Sequence, residues 1–128
     1  MRLLLDTHVA LWALRDDEQL SAKARELIVD PENALLVSAA TVWEISLKHA
    51  FKRADMPISG SEAIGYFREA GYELIPISAT HAALVGTLPP VHADPFDRML
   101  VAQARAESAH LLTHDRLIAK YGNWVVQV

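Results

Sequence analysis

Five short apolar runs, spaced along 128 residues, constrain the fold of this chain more than any other feature. They are Leu3–Leu5, Leu35–Val37, Leu74–Ile77, Leu111–Thr113 and Trp124–Val128. Most of them are almost wholly apolar rather than alternating with polar residues, which is typical of strands that are covered on both faces. Segments with helical patterning follow the first four runs. The sequence therefore predicts one α/β domain over residues 1–128, a three-layer α/β/α sandwich around a mainly parallel sheet.

Polar residues indicate where the helices begin and end. Four positions have the residue types that cap a helix N-terminus: Ser21, Thr41 with Glu44, Ser59 with Glu62, and Asp94 followed by Pro95. The two pairs have the three-residue spacing of a capping box, and proline is favoured at the first helical position. Gly122, after the segment RLIAKY, is expected to end a helix.

The overall charge and the amino-acid composition disfavour several classes of protein. The formal net charge is −4 and the isoelectric point about 5.8, so a large basic field for nucleic acid is absent. The sequence contains no cysteine, which excludes disulfides, thiolate catalysis and cysteine-bound zinc. No apolar stretch approaches the ~20 residues of a membrane span, and Asp6 interrupts the first apolar run. We therefore expect a cytoplasmic protein without a membrane partner.

Four acidic residues fall near the carboxyl ends of the predicted strands. Asp6 lies just past the first strand, Glu44 early in the helix after the second, and Asp115 just past the fourth. Asp97 lies in the first turn of a later helix, within the segment HADPFDRML. In a parallel α/β sheet, the residues that follow the strands gather at the carboxyl edge, where ligands usually bind. We therefore expect the four carboxylates to lie close together.

Four crowded carboxylates repel one another, and a divalent cation removes that repulsion. Oxygen ligands without any thiolate suit Mg²⁺ or Mn²⁺. Such an ion can hold a phosphate, polarise the phosphorus and activate a water, which points to a phosphodiester substrate.

Each acid taken alone also has an ordinary structural explanation. Asp94 and Asp97 can cap a helix or favour its positive end, Glu44 can complete a capping box, and Asp115 can cap the following segment. Asp6 is the hardest to explain in this way, because an acid at the end of a buried strand costs desolvation unless it is paired. The joint pattern, with Asp94 starting the helix and Asp97 directed at the metal, favours a metal site.

Four sequence segments, in their order along the chain, resemble a known family. They are LLLDTHVALW, SAATVWEISLKHAFKR, HADPFDRMLVAQA and LLTHD. Together they resemble the PIN domain family, most closely the VapC-type toxins of bacterial toxin–antitoxin pairs. The most specific parts are the block HADPFDR followed by AQA, and WEI with a lysine soon after it.

The resemblance implies a PIN fold and a Mg²⁺-dependent ribonuclease that forms homodimers. It also implies a small VapB-type antitoxin that blocks the site and binds operator DNA. It carries the metal-binding role to four acids and a supporting role to two hydroxyls: Asp6, Glu44, Asp97 and Asp115, with Ser38 and Thr113. We expect Asp6 and Asp97 to be the most direct ligands, and the products to carry a 5′-phosphate and a 3′-hydroxyl.

RNA contacts require cations outside the acidic centre. The candidates are Lys48, Lys52, Arg53, Arg98 and Arg116. The first three fall on one helical face if the helix continues past Phe51, where members of the family often have a glycine. We expect that continuation. A solvated basic face, or arginines paired with nearby carboxylates, is the alternative interpretation.

Two other functions stay open at this point. A phosphoaspartyl receiver or phosphatase-like protein has a similar length, but it needs further acids beside Asp6, where Thr7 and His8 stand. A non-catalytic PIN-like interaction module is the second alternative, and the presence of all four acids disfavours it.

The remaining histidines and tryptophans are expected to be structural. No pair of histidines has the HExxH spacing of a zinc hydrolase. His8 and His114 lie near predicted ligands, and we expect a surface or hydrogen-bonded role for both. The tryptophans at 12, 43 and 124 are expected in the core or in dimer contacts.

Overall fold

A computed structural model describes all residues from 1 to 128, and its centre is a five-stranded sheet in which every strand pair is parallel. The strands are β1 Arg2–Leu5, β2 Ala34–Ser38, β3 Glu73–Ile75, β4 His110–Thr113 and β5 Val125–Gln127. Their order across the sheet is β3-β2-β1-β4-β5. The five predicted strands are therefore confirmed, with bounds that differ by one or two residues.

Six α-helices and one short 3₁₀ helix surround the sheet. They are α1 Thr7–Leu14, α2 Ala22–Val29, α3 Ala39–Ala50, α4 Gly60–Glu69, α5 Ala79–Val85, α6 Pro95–Ala106 and the 3₁₀ helix Ile118–Tyr121. No helix combines the length and the apolar character that crossing a membrane requires.

Two hydrophobic cores lie on opposite faces of the sheet, because successive side chains of a strand point to opposite faces. Leu3 and Leu5 join the core formed with α1, α2, α3 and α4, whereas Leu4 between them joins the core formed with α6 and the 3₁₀ helix. All three leucines are completely buried. This arrangement explains why the strands read as continuous apolar runs, and it confirms the predicted α/β/α sandwich.

Most of the predicted helix starts agree with the structure. The side chains of Ser21 and Ser59 cap α2 and α4, and Ser59 forms a complete capping box with Glu62. Asp94 caps α6 with Pro95 in the first turn.

The predicted capping box of Thr41 and Glu44 is wrong. Helix α3 begins three residues before the prediction would place its start, with Ser38 as its N-cap. The hydroxyl of Ser38 accepts the backbone N–H of Ala40 at 2.9 Å. Thr41 and Glu44 are therefore inside the helix, and both are buried.

The predicted continuation of α3 past Phe51 is also wrong. The helix ends at Ala50, and Lys52 adopts the left-handed conformation with φ of 55°. The N–H groups of Lys52 and Arg53 bond the carbonyls of His49 and Lys48, which is the Schellman pattern that usually employs glycine. Lys48, Lys52 and Arg53 therefore do not share a helical face.

The segment after β4 forms only a four-residue 3₁₀ helix, and Gly122 ends it as predicted. The backbone of Gly122 is extended rather than left-handed, so this position does not need glycine for its conformational freedom. A Cβ at this position would lie 2.7 Å from Cε3 of Trp124 and still closer to Cζ3. Gly122 is required because the indole ring lies against its backbone.

Candidate active site

The candidate site lies where the connections of the sheet change direction. From the central strand β1, the chain first extends the sheet toward β2 and β3, and later returns to add β4 and β5 on the other side. Crevices at such switch points, outside the carboxyl ends of the strands, are the usual ligand sites of open α/β sheets. Asp6 directly follows β1, and Asp115 follows its neighbour β4 by two residues.

Asp6 is both the N-cap of α1 and a buried carboxylate. Its Oδ1 accepts the backbone N–H of Val9 at 2.8 Å, and its Oδ2 accepts the hydroxyl of Thr113 at 2.6 Å. Only 5% of the residue is exposed. Burial raises the pKa of Asp6, and these two hydrogen bonds oppose that rise. The strand end therefore holds an acid whose negative charge is incompletely compensated.

Glu44 lies in the second turn of α3 and is also only 5% exposed. Its Oε1 accepts the hydroxyl of Thr7 at 2.8 Å, and its Oε2 accepts the ammonium of Lys48 at 2.6 Å. The hydroxyl of Thr41 lies 3.2 Å from that of Thr7. The i,i+4 pair with Lys48 neutralises Glu44, so this lysine faces the acidic centre rather than solvent.

Asp97 projects from the first turn of α6, and Asp94 sets its position. Oδ1 of Asp94 accepts the backbone N–H groups of Phe96 and Asp97, at 2.8 and 3.1 Å. Capping and site geometry thus belong to different acids of the same segment.

The pKa of the Asp97 carboxyl is raised to about 7. Burial is the largest cause, followed by the negative charges of Asp94, Glu44, Asp6 and Asp115. The structure therefore brings Asp6, Glu44 and Asp115 within electrostatic range of Asp97, from the ends of two strands and the early turns of two helices.

Asp115 is the most exposed of the four acids. Its Oδ1 accepts the backbone N–H of Leu117 at 2.7 Å, and its own N–H donates to Oγ1 of Thr113 at 3.0 Å. Thr113 therefore accepts a hydrogen bond from Asp115 and donates one to Asp6. This hydroxyl fixes the ends of β1 and β4 relative to each other.

His92 lies beside these acids, and the sequence reasoning did not assign it to the site. Its Nε2 is 3.6 Å from Oδ2 of Asp97 and 3.4 Å from Oδ2 of Asp115. These three residues are the one group of potential metal-binding side chains whose atoms all lie within 4.8 Å of one another. The sequence signal was available, because His92 opens the HADPFDR block, but its orientation depends on the loop before α6.

Arg98 occupies a different place from the one expected of an RNA contact. Its guanidinium donates to the backbone carbonyls of Val85 and Pro89 and to the hydroxyl of Tyr121. The side chain thus holds the loop before α6. Lys52 and Arg116 are exposed, and neither forms an ion pair.

The aromatic residues near the site form two clusters. Trp12 is buried, and the rings of His8 and His114 lie 5.8 and 5.0 Å from it. Trp43, by contrast, is 55% exposed and contacts Phe96 edge-to-face at 4.9 Å. Trp43 directly precedes Glu44 in the sequence, and Phe96 directly precedes Asp97. The surface formed by the two rings therefore adjoins the acidic centre.

Trp124 belongs to the other core. Its indole N–H donates to the carbonyl of Val101 at 3.0 Å, and the guanidinium of Arg105 lies 4.7 Å from the ring centroid. Trp124 therefore packs against α6 and does not form part of the site.

The donor set fits a hard divalent cation. All four acids offer carboxylate oxygens, two of them are almost fully buried, and burial together with the neighbouring negative charges raises the pKa of Asp97. A cation among them would compensate these charges, and oxygen ligands suit Mg²⁺ or Mn²⁺.

Comparison with known proteins identifies the family. The sequence profile described as "PIN domain" matches residues 3–123, nearly the whole chain. The chain belongs to the PIN domain family. PIN domains are generally nucleases, and PIN nucleases use divalent metals. A search of curated proteins gives no match.

Solved structures share the fold of this PIN domain over almost their full length. VapBC2 from Rickettsia felis, bound to a promoter DNA fragment, superposes with a TM-score of 0.71 at 17% identity, covering 100% of this chain and 98% of that one. A toxin–antitoxin complex from Klebsiella pneumoniae gives 0.63 at 20% identity, covering 98% and 96%. VapBC-1 from nontypeable Haemophilus influenzae gives 0.61 at 17% identity, covering 97% and 98%.

The strand order separates this PIN domain from a phosphoaspartyl receiver. Receivers of the flavodoxin-like type have the order 2-1-3-4-5, whereas this sheet has 3-2-1-4-5. The receiver alternative is therefore wrong.

Proposed function

We propose that this PIN domain is a VapC-type toxin, an endoribonuclease that hydrolyses RNA phosphodiesters with Mg²⁺ or Mn²⁺. The observation that carries the proposal is the placement of Asp6, Glu44, Asp97 and Asp115 around the carboxyl edge of the sheet, where burial and then the neighbouring negative charges raise the pKa of Asp97. A carboxyl group with a pKa of about 7 is poorly compensated in the metal-free protein. A divalent cation supplies the missing positive charge.

Three of the acids would hold the cation. Asp6, Asp97 and Asp115 lie at the carboxyl edge with oxygens that retain acceptor capacity. Glu44 differs from them because it is already paired with the ammonium of Lys48, so Glu44 would act through a water. A cation in this position would polarise a phosphodiester and lower the pKa of a nucleophilic water.

The contribution of the protein's own residues is to fix the carboxylates before substrate binds. Thr113 orients Asp6 by its hydrogen bond, the cap at Asp94 sets the first turn that carries Asp97, and Lys48 compensates Glu44. Such preorganisation avoids rearrangement during the reaction. We expect cleavage to leave a 5′-phosphate and a 3′-hydroxyl.

RNA would be bound by cations and aromatic rings around the acidic edge. The exposed side chains of Lys52 and Arg116 are free to contact phosphates. The exposed ring of Trp43, packed against the half-buried Phe96, offers a surface on which a base can stack. Because few cations are available, we expect RNA affinity to fall only shallowly as salt increases.

The partners would be a cognate VapB-type antitoxin and a second copy of the chain, in the cytoplasm. An apolar groove of about 530 Å³, lined by residues such as Leu11, Leu14, Met56, Ile58 and Tyr66, supports the binding of a protein segment. Leu47 of α3 and Phe51 just after it are apolar and exposed, which supports homodimer formation. Operator DNA would be bound only through the antitoxin.

The test is RNA cleavage by the purified full chain, free of any antitoxin. Labelled single-stranded RNA should be cleaved with Mg²⁺ or Mn²⁺ and left intact with EDTA, and the products should carry a 5′-phosphate. Asp97→Asn should abolish cleavage. Glu18→Gln is the matched control, since Glu18 is an exposed acid on the surface after α1.

Full activity of Asp97→Asn, or cleavage that persists in EDTA, would contradict the proposal. RNA binding without cleavage, in a protein whose melting temperature does not rise with added cation, would instead indicate a non-catalytic interaction module.

A further inference from the structure

His92 lies between two of the carboxylates proposed to hold the cation, and the function above gives it no role. Its Nε2 is 3.4 Å from Oδ2 of Asp115 and 3.6 Å from Oδ2 of Asp97. An imidazole at this place can bind a cation through a lone pair on Nε2, or donate an Nε2–H to the carboxylates. The two roles require different tautomers, so the second ring nitrogen decides between them.

The second ring nitrogen is already an acceptor. Nδ1 of His92 accepts the backbone N–H of Asp94 at 3.0 Å. A backbone N–H can only donate, so Nδ1 must present its lone pair, and the neutral ring carries its hydrogen on Nε2. That nitrogen then has no lone pair in the ring plane for a metal ion. Asp94 thus caps α6 with its side chain and fixes the tautomer of His92 with its backbone N–H.

We propose that His92 is a positioning residue of the metal site. Its Nε2, which carries the hydrogen, lies 3.6 Å from Oδ2 of Asp97 and 3.4 Å from Oδ2 of Asp115, and it holds the two oxygens near each other by electrostatic attraction at distances too long for two hydrogen bonds. It is not a ligand of the cation. The role rests on the proposed function, since it concerns the two carboxylates that would hold the ion.

The backbone of His92 is held as firmly as its ring. Its N–H donates to the hydroxyl of Tyr121 at 3.0 Å, and its carbonyl accepts from both Tyr121 and Arg98. The same guanidinium binds the carbonyls of Val85, Leu88 and Pro89 along the loop. Arg98 from α6 and Tyr121 from the 3₁₀ helix therefore fix the loop that presents the imidazole, which explains why this arginine is turned inward.

The expected size of the effect follows from other metal sites. Groups that orient metal-binding side chains by hydrogen bonds typically change metal affinity 10- to 100-fold when they are removed. Without the donor, the oxygens of Asp97 and Asp115 would repel each other and separate. The role therefore predicts weaker cation binding rather than a change in the ligand set.

The tautomer is tested first, on the metal-free full chain at pH 8. Long-range ¹H–¹⁵N NMR spectra distinguish Nε2–H from Nδ1–H imidazoles, and the signals absent from His92→Gln identify His92 among the six histidines. We expect the Nε2–H pattern. An Nδ1–H pattern would overturn the proposal, whether or not the protein is a nuclease.

Cation binding is tested next, by EPR titration with Mn²⁺ alone. His92→Leu should bind Mn²⁺ about 10- to 100-fold more weakly. His92→Gln, whose amide can donate from near the position of Nε2, should restore most of the affinity. Pulsed EPR of the bound Mn²⁺ should show no directly coordinated nitrogen that depends on His92. Unchanged affinity in His92→Leu, or such a nitrogen coupling, would overturn the role.

Tyr121→Phe tests whether the loop acts through His92. We expect it to weaken Mn²⁺ binding in the unsubstituted protein and to have no further effect in His92→Leu, with thermal unfolding confirming that each variant is folded. Equal effects in both backgrounds would refute transmission through the imidazole. If the unsubstituted protein binds no Mn²⁺ at all, the proposed function fails as well. Tight binding that survives His92→Leu removes the positioning role alone.

Discussion

The hydroxyl of Thr113 donates a hydrogen bond of 2.6 Å to Oδ2 of Asp6, joining the ends of the two central strands from positions 107 residues apart in the sequence. Oγ1 of Thr113 also accepts the backbone N–H of Asp115. One buried side chain therefore sets the spacing between two acids of the site.

Replacement of Thr113 by valine should destabilise the protein by about 2 kcal/mol, because hydrogen bonds to buried charged groups contribute ~1.5–3 kcal/mol. Valine keeps the branched shape and removes only the hydroxyl. Urea unfolding in EDTA measures the change. Thr113→Ser is the control that keeps the hydrogen bond, and equal stabilities of the two variants would show that the bond contributes little.

The raised pKa of Asp97 predicts that the metal-free protein loses stability as the pH rises from about 4 to about 7. Below that window the carboxyl is protonated in both states. Within it, the native state retains a proton that the unfolded chain releases, and above it the native state carries an unfavourable charge. Chemical denaturation in EDTA across this range should show the decline.

Asp97→Asn should flatten this dependence and make the metal-free protein more stable at pH 8 than the unsubstituted chain. A residual slope should persist, since burial also raises the pKa of Asp6. Added Mg²⁺ should stabilise the unsubstituted protein at pH 8 and have a smaller effect on Asp97→Asn. Stability that increases with pH in EDTA would contradict the placement of these carboxylates.

Lys48→Met should leave the carboxylate of Glu44 buried without its cation. The side chain of Glu44 is buried and that of Lys48 is 23% exposed. We therefore expect a loss of stability of about 2 kcal/mol, between the values for surface and fully buried ion pairs. Lys52→Met is the control, an exposed lysine without an ion pair, and should change stability by less than ~0.5 kcal/mol. In a double-mutant cycle, the variant that carries both Lys48→Met and Glu44→Gln should lose less stability than the sum of the two single variants. Strictly additive losses would show that Lys48 and Glu44 do not stabilise each other.

Two glycine-to-alanine substitutions should act in opposite directions. Gly122→Ala would force the ring of Trp124 to move, with an expected cost of ~1–3 kcal/mol. Gly65→Ala lies inside α4 with no atom within 4 Å of the added Cβ, and should stabilise by ~0.5–1 kcal/mol because alanine favours the helix. Melting temperatures compare the two, and a shift of the same sign in both would contradict the packing at Trp124.

The sequence by itself determined the elements and the family. Strands buried on both faces must be apolar throughout, so β1, β2 and β4 were recognisable from their composition alone. The cap at Asp94 was equally legible, because a capping side chain bonds an N–H two or three residues away. The same local logic failed at Thr41 and Glu44, where the spacing of a capping box occurs inside a helix and both side chains serve the buried site instead.

Only the tertiary structure decided which partner each polar side chain has. Arg98 binds carbonyls of a loop that lies before its own helix, and Thr113 meets Asp6 only because β4 lies next to β1. Periodicity and capping are set by neighbours along the chain, whereas these contacts depend on the strand order and on the path of a loop. The sequence could therefore name the acids of the site, and the fold was needed to show what holds them in place.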